Sequence, residues 1–107
     1  MHWKNHAGQT ALHCASQYGA EDVVSRLVEV GSAVDARDND GSTAMHYAAN
    51  DGRLLVVQAL LQSGARGDFV NTDGITALDL ARYNGHEDVA NFLDQNVAQA
   101  PVRQTKY

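Results

Sequence analysis

The sequence predicts an all-α solenoid of stacked helix-turn-helix units joined by β-hairpin or turn loops. Three observations predict it. The stretch GQTALHCAS from Gly8 returns as GSTAMHYAA from Gly41 and as GITALDLAR from Gly74, a constant period of 33 residues. Further landmarks keep that period: Gly19, Gly52 and Gly85, then Val23-Val24, Val56-Val57 and Val89-Ala90, then Leu27-Val28, Leu60-Leu61 and Phe92-Leu93. Finally, each copy carries small residues (Ala11, Ala15, Ala44, Ala48, Ala49, Ala77 and Ala81) that admit a close neighbour. One short helix pair cannot bury its apolar face alone, so the copies must stack.

Each copy reads as two short helices. The first runs from about Thr10 to Tyr18. Thr10, Thr43 and Thr76 suit an N-cap, where a hydroxyl accepts an unpaired N–H of the first turn. His13, His46 and Asp79 follow three residues later, and Thr76 with Asp79 has the form of a capping box with Asp for the usual Glu. Gly19, Gly52 and Gly85 end the helix, because glycine enters the left-handed conformation without a Cβ clash. The second helix runs from about Glu21 to Val30, with Val23, Val24, Leu27 and Val28 down one face. Acidic Glu21-Asp22 and Glu87-Asp88 stand at its positive end. Polar stretches ending in Asp-Gly, SAVDARDNDG and ARGDFVNTDG, link the copies as turns or hairpin tips.

The copies divide the chain into a partial first repeat (1–33), a second (34–66) and a last (67–97), with a tail over 98–107. The tail, AQAPVRQTKY, lacks periodicity and holds the single proline. Exposed-looking Asp88, Asn91, Asp94, Gln95 and Asn96 give the last copy the polar outer face of a terminal repeat. The first copy reads as an interior repeat, so the chain is expected to be part of a longer array.

Composition narrows function. The 107 residues suit one small domain. A net charge of −5 excludes a general nucleic-acid binder and disfavours an anionic membrane surface. A single cysteine cannot form an internal disulfide, and with no signal-peptide-like or membrane-spanning stretch the expected location is cytoplasmic or nuclear. The adjacent His13-Cys14 pair invites a catalytic or metal reading. On a helix the two side chains diverge by about 100°, and the positions matching Cys14 hold Tyr47 and Leu80, which points to packing. Asp35, Asp38 and Asp40 lack the closing Glu of a calcium loop. No catalytic residue, cofactor or metal is expected.

The 33-residue period with Gly-X-Thr-X-Leu-His-X-Ala resembles the ankyrin repeat. Ala11, Ala44 and Ala77 stand where that family usually has proline, Gly67 replaces a hairpin Val or Ile, and Asp79 replaces the motif histidine. The resemblance implies an ankyrin-repeat solenoid in which Thr10, His13, Thr43, His46, Thr76 and Asp79 are structural. It also implies a protein–protein interaction module whose hairpin tips and first helices line a concave binding face. Carried over by position, that face comprises Trp3, His6, Gln9, Gln17 and Tyr18 in the first copy, with Lys4 beside them. The second copy supplies Arg37, Asn39, Asp40, Ser42, Asn50 and Asp51, and the third Phe69, Thr72, Asp73, Ile75, Tyr83 and Asn84, with Val70 alongside. Trp3, Phe69, Ile75 and Tyr83 read as aromatic or apolar anchors among polar groups. The expected partner is a protein or peptide with some basic residues, facing Asp40, Asp51 and Asp73. The alternative is a structural or autoinhibitory segment of a larger multidomain protein.

Overall fold

A computed structural model of the chain describes residues 7–96. Six helices follow in order: α1 (Ala11–Tyr18), α2 (Glu21–Glu29), α3 (Ala44–Asn50), α4 (Leu54–Gln62), α5 (Ala77–Tyr83) and α6 (Glu87–Asn96). Of the two loop forms expected, the described residues take the turn form. In the second copy Gly41 N–H donates to Asp38 C=O (3.0 Å) and Asp38 N–H to Ser42 C=O (2.9 Å). The same pair closes the third, from Gly74 to Asn71 (2.9 Å) and from Asn71 to Ile75 (3.0 Å).

The first helices begin where a threonine can cap them. Thr10, Thr43 and Thr76 are extended N-caps whose hydroxyls accept the N–H of His13, His46 and Asp79. Those three side chains return the bond to the cap backbone, over 2.9 Å at His13 Nδ1, 3.0 Å at His46 Nδ1 and 3.2 Å at Asp79 Oδ2. Two orphan donors are thereby satisfied at each helix start.

Each first helix turns back through a glycine into the second. Gly19 and Gly52 have φ of 77° and 71°, which a side chain resists. They are also closely approached: a Cβ would stand 2.8 Å from Arg53 Cδ at Gly19 and 2.7 Å from the His86 ring at Gly52.

Helices α1, α3 and α5 pack as one row, and α2, α4 and α6 as a second row behind it. Leu12, Met45, Val24, Val56, Val57, Leu60, Val89 and Leu93 fill the space between the rows. Ala44, Ala48, Ala49, Ala77 and Ala81 are buried where the first helices touch. Ala11 departs from this expectation: it is exposed, because among the described residues no helix stands on its far side. For the same reason Val23 is 48 % exposed while the matching Val56 is 1 % exposed. The polar face expected of the last copy is exposed, from Asp88 to Asn96.

Candidate partner-binding face

The repeats are joined by side chains that reach from one copy to the backbone of the next. Because His13 and His46 accept a backbone N–H at Nδ1, each carries its proton on Nε2. That nitrogen donates to Ser42 C=O from His13 and to Ile75 C=O from His46, both over 2.9 Å. One imidazole thus caps its own helix and holds the following turn. Asp79 performs only the first task, bonding within its own repeat. A second tie runs from the start of each later second helix. Arg53 Nε donates to Gln17 C=O (3.1 Å), and His86 Nε2 lies 3.1 Å from Asn50 C=O. A third joins the tips, where Asn39 N–H donates to Ala7 C=O and Thr72 N–H to Asp40 C=O, each over 2.9 Å.

Burial holds His46 neutral by pushing its pKa below 6.5, outweighing the opposing hydrogen bond to Ile75 C=O. The unfolded chain protonates this group near pH 6.5 and the folded chain only at lower pH, so its contribution to stability is complete above that range and falls as the pH drops. Between pH 7.5 and 5.5 the wild type should lose stability more steeply than His46→Asn, by at most about 1.4 kcal/mol per pH unit for one proton. Urea midpoints at the two pH values measure this; equal slopes would refute the assignment.

The tips are preorganised. Asp38 Oδ1 accepts the N–H groups of Asp40 and Ser42, each over 2.9 Å. Asn71 Oδ1 accepts those of Asp73 (2.9 Å) and Ile75 (3.0 Å). These brackets leave Asn39, Asp40, Thr72 and Asp73 exposed at the apices. Asp38 is itself buried, and its other oxygen accepts a bond from the Tyr47 hydroxyl. Gln9 Nε2 donates to that hydroxyl over 3.0 Å. Burial, and then the bond to Asp38, push the Tyr47 phenol up to about 12, so it stays a donor at neutral pH.

Beside the third tip, Phe69 is half-buried and has two guanidiniums over its ring, Arg37 at 4.3 Å and Arg66 at 5.0 Å from the centroid. Arg66 also pairs with Asp68 at 2.9 Å, which holds the Asp68 carboxyl below its ordinary range. Arg66 N–H donates to Asp35 Oδ1 (2.9 Å).

The remaining predicted residues gather at the C-terminal ends of the first helices. Tyr18 and Tyr83 are 78 % and 88 % exposed, more than any other large apolar side chain described. Between them Asn84 Nδ2 donates to Asn50 Oδ1 and to Leu80 C=O, both over 2.9 Å, and Asn50 Nδ2 donates to Asp51 Oδ1 (3.1 Å). Gln17 is exposed next to Tyr18. Trp3, Lys4 and His6 lie outside the described residues. Ile75 and Ser42 are half-buried, their carbonyls used by the histidine bridges, so neither offers the open surface expected of it. Val70 is 44 % exposed.

The sequence offers Asp38 only as an acid of a loop without calcium-site spacing and Tyr47 only as a packing position, and it does not mark Asn71, Arg53, His86 or Arg66. Asp38 and Asn71 had a signal: an Asx residue three places before a turn glycine. Arg53 and His86 each directly follow a helix-ending glycine in matching copies.

The family model for ankyrin repeats (3 copies) matches residues 1–71 and 34–103. The chain belongs to the ankyrin repeat family. No curated protein matches it. Ankyrin repeats are in general protein–protein interaction modules and typically not enzymes. In this ankyrin stack Cys14 is half-buried and unpaired with another cysteine. Among the described residues no cluster of three or more His, Cys, Asp or Glu is arranged to hold a metal, and no helix is long and apolar enough to cross a membrane.

Proposed function

We propose that the chain binds a partner protein or peptide through the face formed by its turn tips and first helices, and catalyses no reaction. The observation that carries this is the pair Tyr18 and Tyr83. They stand exposed at the ends of α1 and α5, flanking a hydrogen-bonded row of Asn50, Asp51 and Asn84. An exposed phenol ring costs solvation and stabilises nothing in the stack, whereas a partner can bury it. The ordered amides between them lose little entropy on binding.

Charge refines the partner. Asp40 and Asp73 are exposed at the tips, while Arg37 is engaged on Phe69 and Arg53 on Gln17 C=O. A segment with basic residues fits this face, and its association rate falls with salt. The single free cysteine suits a reducing cytosolic or nuclear setting.

Tyr83→Ala should leave the helical circular dichroism spectrum unchanged and weaken partner binding by about 1–2 kcal/mol, measured by titration calorimetry. Unchanged affinity would remove Tyr83 from the site.

A further inference from the structure

The second helices open alike in copies one and three and differently in copy two. Glu21-Asp22 and Glu87-Asp88 occupy the first turns of α2 and α6, while the matching positions of α4 hold Leu54-Leu55. Carboxylates at that end favour the helix dipole, and Asp88 Oδ1 accepts Val89 N–H over 2.8 Å. Leucine gains nothing there from the dipole. Leu54 packs partly against the core, but Leu55 is 58 % exposed. Helix α4 packs against α2 on one side and α6 on the other. Leu55 therefore lies in register between Asp22 and Asp88, at helix spacings of about 10 Å. The ion pairs among the described residues are Arg66–Asp68 and Arg82–Asp94, so none of the four carboxylates is paired with a described cation. Arg53, next to Leu54, is directed to Gln17 C=O.

We propose that this face of the second row of helices docks a basic, apolar-centred segment of a partner protein. An apolar side chain covers Leu55, and lysine or arginine on either side meets Asp22 and Asp88. Three residues of extended chain span about 10 Å, so the matching pattern is basic-x-x-apolar-x-x-basic. The site belongs to the second helices and is separate from the tyrosine-bearing face.

The test is a titration of the nitrogen-15-labelled chain with a capped synthetic heptapeptide, Lys-Ala-Ala-Leu-Ala-Ala-Lys. A peptide of the same composition with adjacent lysines is the control. Saturable amide shifts should cluster in the first turns of α2, α4 and α6. Leu55→Ser, and separately Asp22→Asn with Asp88→Asn, should each weaken binding about fivefold or more, the scale of losing one anchor. Tyr83→Ala should leave this binding unchanged, which separates it from the function proposed above. Absence of shifts at millimolar peptide, equal response to the control, shifts confined to the tyrosine face, or a Leu55-dependent dimer in sedimentation would each overturn the proposal.

Discussion

Alanine at position 46 lowers the unfolding free energy by about 3 kcal/mol, because it removes the returning half of the capping box and so leaves the buried Thr43 N–H unpaired, together with Ile75 C=O. His46 is 2 % exposed and serves Thr43 N–H and Ile75 C=O at once. His46→Asn should recover part of the loss, since an amide can reach the cap but not the next turn. Asp79→Ala is the internal control. Asp79 is exposed and supports only its own cap, so its loss should cost about 1 kcal/mol. Urea unfolding with unchanged m values reads all three. Equal effects at 46 and 79 would show that the bridge between repeats contributes nothing.

Gly52→Ala should destabilise by about 2–3 kcal/mol, and Gly85→Ala by about 1, although both glycines have positive φ. The φ values, 71° and 76°, are nearly the same. The surroundings differ: a Cβ at Gly52 would meet the His86 ring at 2.7 Å, and one at Gly85 meets nothing within 4 Å. Moving that ring breaks its contact with Asn50 C=O. Adding His86→Ala to Gly52→Ala should therefore cost less than the sum of the two single changes. Strict additivity would contradict the steric account.

The fold was legible because it repeats. Thr10, Thr43 and Thr76 mark helix starts by local chemistry, and a local bond reads from local sequence. Gly19 and Gly52 mark helix ends for the same reason. The binding face was less legible, because exposure depends on neighbours from other copies. Tyr83 and Ile75 looked alike in sequence, yet one is 88 % exposed and the other half-buried with its carbonyl used by His46. Phe69 reads as an open anchor, but the guanidiniums of Arg37 and Arg66 lie over its ring. Asp38 read as one acid in a polar loop. Its role as bracket for the turn and acceptor from Tyr47 needs both elements in place.

The proposed recognition of a protein through the face bearing Tyr18 and Tyr83 is open to direct test. The most direct measurement is quantitative affinity capture with the wild type, the Tyr18→Ala/Tyr83→Ala double variant and a Gln62→Ala/Gln95→Ala control. All three should show the same thermal melt. Proteins retained by the wild type and the control should be lost from the tyrosine variant, with direct binding weakened in proportion. Retention of the same proteins at the same yield by the tyrosine variant would contradict it.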